Sequence, residues 1–265
     1  MRPEEADSMK PSAIVTGGGR GLGRALACEL VAAGYQVGLI SRNQDDLQKT
    51  CHELQECGGS AHYRIADVTD RDGLAAAVSQ LVESFGGKLD LLVVNAARIN
   101  WVKEETFPTE VIAGIFQTNV TGAIYSVSAV AQTMMAQRSG HIVAISSLGS
   151  LISDTGSGLK YYYASKASLN ALFAAFKRHF RRHGIAINTI YPGWIDTDMF
   201  DSSRADASDQ DVATAKEAAA TIMLAIAEKR DVVFPRRSYR AIRYQQLLLP
   251  LRRKAKKLLA PLRGH

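Results

Sequence analysis

Short apolar runs recur along the chain, separated by stretches whose apolar residues repeat at helical spacing. The runs are Ala13–Val15, Val37–Ile40, Leu91–Val94, Ile142–Ile145, Ile185–Ile190 and Val232–Phe234, with His62–Ile65 a weaker seventh. They are continuous rather than alternating, and strands of that kind are buried on both faces of a parallel sheet. The intervening stretches predict helices over about 21–33, 43–57, 70–85, 108–137, 160–183 and 209–229. In the fifth, Leu169, Leu172, Phe173, Phe176 and Phe180 keep one helical face. Gly34 and Gly184 stand where left-handed caps would end the first and fifth helices. Alternating strand and helix gives an α/β fold with a doubly wound parallel sheet. No Pro/Ser-rich linker or internal repeat divides the chain. It reads as a flexible N-terminus over 1–11, one domain over 12–235 and a tail over 236–265.

Composition adds one correction to that picture. The 265 residues are 46% hydrophobic and 22% charged, which excludes a mostly disordered chain. The net charge of +6 is unevenly placed. Ten basic residues and no acidic ones follow Val232, leaving 22 basic against 26 acidic in the body, a net of −4. The picture is a mildly acidic domain with a basic tail, not a nucleic-acid-binding surface. Cys28, Cys51 and Cys57 are too few for a disulfide framework, so a reducing, cytoplasmic setting is expected. Cys51, His52 and Cys57 have no second ligand cluster, so no metal site is expected. The acidic N-terminus does not read as a secretory signal, and no apolar run approaches the roughly 18 residues of a membrane-spanning helix.

Candidate chemistry begins after the first strand. Thr16-Gly17-Gly18-Gly19-Arg20-Gly21-Leu22-Gly23 opens a helix, in the spacing T-G-x-x-x-G-x-G. A strand, a glycine turn and a helix N-terminus make an anion site, because backbone N–H groups and the helix dipole face the phosphates. The alternative is a merely structural tight turn. The second strand ends Ile40-Ser41-Arg42-Asn43, without the carboxylate that would bond a ribose 2′-hydroxyl. Arg42 and Arg20 can instead pair with a 2′-phosphate, which favours NADP(H) over NAD(H). Asp67 and Val68, after the third strand, stand where an adenine could be touched, although Asp67 also fits a turn.

Tyr162 and Lys166 lie four residues apart at the start of a helix and share a face. A tyrosine is a poor acid or base near neutrality, and a neighbouring ammonium lowers its pKa. Tyr-x-x-x-Lys is therefore a sensible proton-transfer pair. Among Tyr161, Tyr162 and Tyr163, only Tyr162 has that spacing.

Taken with these, TGGGRGLG, DV, NAA, NVTG, ISS, YYASK and PGWIDT stand in an order that resembles the short-chain dehydrogenase/reductase family, over roughly residues 12–200. The helix–strand pair over about 209–235 also fits. The resemblance implies a Rossmann fold, a homo-oligomer (dimer or tetramer), and an oxidoreductase interconverting a carbonyl and a secondary alcohol. It implies that Tyr162 is the general acid or base, that Lys166 lowers its pKa and binds the nicotinamide ribose, and that Ser147 holds the substrate oxygen. Ser147 rather than Ser146 is chosen because the second serine matches the family pattern. Asn119 would hold a water behind Lys166. Asn95 and Ala96 would support the cofactor, with the backbone of Pro192, Gly193 and Ile195 and the Thr197 hydroxyl at its carboxamide.

There are departures from that pattern. The usual N-N-A-G reads Val94-Asn95-Ala96-Ala97, the glycine usual three residues after the serine is Ser150, and about two extra residues stand between Ser147 and Tyr162 around Asp154–Gly158. They bear on the shape of the substrate pocket, not on the chemistry. By analogy a lipophilic substrate is expected, with Trp194, Met199 and Phe200 in a lid reaching about Arg204. A 3-oxoacyl-type reductase and a non-catalytic NADP(H) sensor are the competing readings. The tail intersperses Leu247, Leu248, Leu249, Leu251, Leu258, Leu259 and Leu262 with its cations, so peripheral membrane contact is one reading. Packing on the domain or on a second subunit is the other.

Overall fold

The computed structural model describes residues 10–103, 105–151, 158–199 and 212–234. Residues 1–9 of the N-terminus, Asp154 to Ser157 of the insertion, the lid from Phe200 to Arg204, and the basic tail lie outside the described residues.

Seven parallel strands form the main sheet: β1 (Ser12–Thr16), β2 (Gln36–Ser41), β3 (Ala61–Ile65), β4 (Leu91–Val94), β5 (Gly140–Ile145), β6 (Ile185–Pro192) and, in the same sheet, β9 (Val232–Phe234). Their order is β3-β2-β1-β4-β5-β6-β9. Two short strands, β7 (Ile195–Asp196) and β8 (Ala213–Thr214), pair beside it. β1 and β4 are buried along their whole length, as their unbroken apolar runs require, whereas the edge strand β3 is mostly half-exposed.

Helices cover both faces. On one side lie α1 (Gly21–Ala32), α2 (Gln44–Glu56) and α7 (Ala215–Ala227), packed through Leu26, Leu30, Leu47, Leu54 and Ile222. On the other lie α3 (Arg71–Ser84), α4 (Thr109–Phe116), α5 (Gly122–Gln137) and α6 (Lys160–Phe180), packed through Leu74, Leu81, Val127, Val130, Leu169 and Phe173. The helix starts carry local signals. Asn43 caps α2 through Asp46 N at 3.1 Å, Asp70 caps α3 through Gly73 N at 3.2 Å, and Thr214 with Glu217 makes a capping box on α7.

The helix expected over about 108–137 is two helices joined by a π turn, Gln117–Thr121. Apolar periodicity runs through such a turn without a mark, which is why the sequence shows one helix there. The last helix begins at Ala215 rather than near 209, because Val212 is irregular and Ala213–Thr214 pair with β7. Gly184 does adopt the left-handed conformation, φ 73°, and its absent side chain leaves room for the Arg138 carbonyl.

The chain reverses its direction across the sheet between β1 and β4. Ligands of open α/β sheets bind outside the carboxyl ends of the strands at that switch point. The ends of β1, β2, β4, β5 and β6 converge there.

Candidate active site

At the switch point lies an open cleft of about 1350 Å³. Pockets for drug-sized ligands hold about 300–1,000 Å³, so this one has room for a dinucleotide and a substrate together. Of the residues singled out in the sequence, Gly17, Arg20, Gly21, Leu22, Gly23, Ser41, Arg42, Asp67, Val68, Asn95, Ala96, Ser147, Tyr162, Lys166, Pro192, Gly193, Ile195 and Thr197 line it. Thr16 and Asn119 are buried behind the lining.

The glycine turn is held from three sides. Gly17 N donates to the Ile40 carbonyl at 2.7 Å, and Gly17 and Gly21 have φ of 68° and 53°. The Thr16 hydroxyl accepts from Asn95 N at 3.1 Å and Ala96 N at 3.2 Å. Asn95 Nδ2 returns hydrogen bonds to the Thr16 and Gly17 carbonyls at 3.0 and 3.2 Å. A Cβ at Gly23 would stand 2.1 Å from the Gly17 carbonyl oxygen, so only glycine lets α1 begin this close to the turn. No side chain caps the start of α1, and no acidic residue occupies its first turn. Its free N–H groups and dipole are thus available to an anion, and the cradle fits a dinucleotide pyrophosphate.

At the end of β2, Arg42 is largely exposed and lies 3.5 Å from the Asp67 carboxylate. Burial opposes ionisation of Asp67, but hydrogen bonds from the Thr69 N–H and hydroxyl, with the Arg42 charge, outweigh it and hold its pKa below the usual value. Asp67 is therefore both the turn residue and a lining residue. Arg20 lies 3.8 Å from Asp198, across the cleft from the turn. Both arginines are exposed, as is Asp198, and only Asp67 is half-buried, so each pair holds its arginine only weakly in place.

The reacting groups come from two elements. Ser147 follows β5, and its hydroxyl accepts from Gly149 N at 3.2 Å and hydrogen-bonds Tyr162. Tyr162 and Lys166 stand one turn apart on α6. Lys166 is 2% exposed, its Nζ donates to the Ile145 carbonyl at 2.7 Å, and it lies 5.8 Å from the centre of the Tyr162 ring. Burial lowers the Lys166 pKa to about 7. Burial raises that of Tyr162 well above its ordinary value, the neighbouring Tyr163 adds to the rise, and the Ser147 hydrogen bond opposes it. The lowering of the tyrosine expected from the lysine is not among the causes of its shift in the protein alone, where burial disfavours both charged forms.

Asn119 sits in the π turn, not in an α-helix. Its Oδ1 accepts from Arg98 N at 2.7 Å, and its Nδ2 donates to the Arg98 carbonyl at 3.0 Å and the Ser165 hydroxyl at 2.9 Å. The Ser165 hydroxyl in turn donates to the Tyr162 carbonyl at 2.7 Å. That side chain clamps the loop after β4 to the start of α6.

Several residues of the site escaped the sequence reading. Thr50, buried within α2, donates to the Gly19 carbonyl at 2.8 Å and steadies the glycine turn. Nothing in the sequence marks it except a hydroxyl in an otherwise apolar helix face. On the substrate side, Ile99, Leu148 and Tyr163 line the cleft beside Trp194 and Met199, two residues that the sequence did single out. Tyr163 lies against Gly149, where a Cβ would meet its ring at 2.1 Å.

Comparison with known proteins agrees with this geometry. A family profile described as short chain dehydrogenase matches residues 11–208. An uncharacterised oxidoreductase of Myxococcus xanthus is 35% identical over 188 residues, covering 71% of this chain and 73% of the relative. Among solved structures, an actinorhodin polyketide ketoreductase variant with NADPH is 26% identical, with a TM-score of 0.78 over 86% of this chain and 96% of its own. A 3-ketoacyl-ACP reductase from Sinorhizobium meliloti is 25% identical, with a TM-score of 0.77 over 84% and 97%. The motifs read in order along the sequence, the sheet they build and the profile that spans them all converge: the chain belongs to the short-chain dehydrogenase/reductase family of oxidoreductases.

Proposed function

We propose that the chain is an NADP(H)-dependent oxidoreductase that interconverts a lipophilic carbonyl compound and its secondary alcohol. The observation that carries the reading is the meeting of Ser147, Tyr162 and Lys166 in the cleft that the glycine turn opens. The uncapped start of α1 would hold the pyrophosphate, and Arg42 and Arg20 would take the 2′-phosphate. Asn95, through its bonds to Thr16 and Gly17, keeps the turn in shape for that role.

When bound, the nicotinamide supplies or accepts the hydride. The protein's own groups handle the oxygen and the proton. Ser147 hydrogen-bonds the substrate oxygen and stabilises the charge that develops there. Tyr162, kept as a neutral phenol by burial, is in the form that donates a proton to that oxygen. Lys166, with a pKa near neutrality, becomes the cation that stabilises the phenolate left behind. Asn119 and Ser165 fix the start of the helix that carries both. Ile99, Leu148, Trp194 and Met199 would exclude water and favour an apolar substituent on the carbonyl.

Two solved relatives act on ketoacyl or polyketide substrates by their names, so a 3-oxoacyl-type reduction is the second reading. The proposal includes a cytoplasmic homo-oligomer. Among the described residues no helix is long and apolar enough to cross a membrane. Salt-sensitive sedimentation with anionic vesicles tests peripheral contact through the tail.

The deciding experiment follows NADPH and NADH oxidation over aldehydes, ketones, quinones, steroids and a 3-oxoacyl thioester. Turnover of apolar ketones with NADPH, lost in Tyr162→Phe while NADPH binding persists, supports the proposal. Binding without turnover across the panel overturns it in favour of a sensor, and a preference for NADH overturns the assignment of Arg20 and Arg42.

A further inference from the structure

Ser147 belongs to the turn after β5, whereas Tyr162 and Lys166 belong to α6. Their spacing therefore depends on ties between turn and helix. One such tie runs through a residue without an assigned role. Asn170 lies one helical turn beyond Lys166, so Tyr162, Lys166 and Asn170 share a face of α6.

The Ser146 hydroxyl, 2% exposed at the residue level, donates to Asn170 Oδ1 at 2.6 Å. Asn170 Nδ2 donates to the Ser150 hydroxyl at 2.8 Å. The Ser150 hydroxyl donates to the carbonyl of Ser147, and Ser150 N donates to the same oxygen at 3.1 Å. Each hydroxyl has one proton, and each proton runs the same way around the loop. The chain leaves Ser146 and returns to Ser147, so it closes around the serine that faces the substrate. Ser146 N is also bound to the Ile190 carbonyl at 2.8 Å, which anchors the loop to β6. Chained hydrogen bonds reinforce one another, and leaving one buried member unpaired exposes the full desolvation cost of that group. Ser150, where the family pattern has glycine, supplies the last link, which a glycine would delete.

We propose that Asn170 and Ser150 are positioning residues that clamp the Ser147 turn onto α6 and so set the geometry between Ser147 and Tyr162. This rests on the reading of Ser147, Tyr162 and Lys166 as the reacting groups. Asn170→Leu keeps the volume and removes both hydrogen bonds. With the fastest-reacting ketone of the panel, it lowers kcat about 10- to 100-fold, the range expected for a misplaced reacting group. The KM for NADPH stays unchanged. Ser150→Gly, which breaks the chain at its half-buried end, acts in the same direction, and the double variant falls short of the product of the two losses.

Asn170→Asp separates positioning from folding. A neutral acid can accept from Ser146 and donate to Ser150, but a carboxylate can only accept. Its kcat relative to the native enzyme therefore recovers as pH falls through the carboxyl pKa. A readout independent of turnover is a crystal structure of Ser150→Gly or Asn170→Leu, in which the Ser147–Leu151 turn shifts by more than about 0.5 Å. An inactive Tyr162→Phe beside native kcat in Asn170→Leu and Ser150→Gly, or an unmoved turn, overturns the clamp alone. A fully active Tyr162→Phe overturns the reading of the site and the clamp with it.

Discussion

Lys166 is a cation-forming group buried to 2% exposure, and its main compensation in the protein alone is the Ile145 carbonyl. Its replacement by methionine keeps most of the stem and removes the ionisable end. The depression of its pKa from 10.5 to about 7, at about 1.4 kcal/mol per pH unit, sets a ceiling of about 5 kcal/mol on the stability it withholds from the cofactor-free protein. The sign follows from proton uptake. Above about pH 10.5 the lysine is neutral in both the folded and unfolded chain and makes no difference. As pH falls toward about 7, the unfolded chain binds a proton that the folded one refuses, and the folded state loses stability. Below about 7 both states are protonated, and the loss levels off. Urea unfolding of the cofactor-free native protein and Lys166→Met, across that window, measures the difference. The stability of Lys166→Met relative to native rises steadily as pH falls and then reaches a plateau. The unpaired Ile145 carbonyl subtracts about 1–3 kcal/mol at every pH, so it moves the curve without changing its slope. A difference that does not vary with pH refutes the buried, depressed lysine.

Two further outcomes follow from the cofactor cradle. Gly23→Ala places a Cβ 2.1 Å from the Gly17 carbonyl oxygen and 2.8 Å from Asn95 Nδ2, and the backbone atom cannot yield alone. The turn opens, stability falls by about 1–3 kcal/mol, and NADPH binding by calorimetry is lost; native affinity in this variant contradicts the tight cradle. Arg42→Ala removes an exposed cation at the end of β2 and leaves Asp67 with its Thr69 hydrogen bonds but without its ion-pair partner. It lowers kcat/KM for NADPH about 10-fold, near 1.4 kcal/mol, and leaves NADH unaffected; equal losses with both cofactors contradict the 2′-phosphate role.

The sequence determined by itself those features that are written in spacing. Short continuous apolar runs such as Leu91–Val94, set between helical stretches, read as strands covered on both faces, so the doubly wound sheet was legible in the sequence. The glycine turn, and Tyr162 four residues before Lys166, were legible for the same reason: their chemistry depends on near neighbours along the chain. Tertiary structure alone decided whatever depends on residues far apart in sequence. The π turn beneath Asn119 leaves apolar periodicity intact, and the partners of that side chain, Arg98 and Ser165, stand 21 and 46 residues away. The direction of the Tyr162 and Lys166 pKa shifts follows from burial, which packing sets and spacing does not. Ser150 appeared in the sequence as a departure from a pattern. Only the packing of α6 against the β5 turn, which brings Asn170 Nδ2 within 2.8 Å, ties that hydroxyl to the helix.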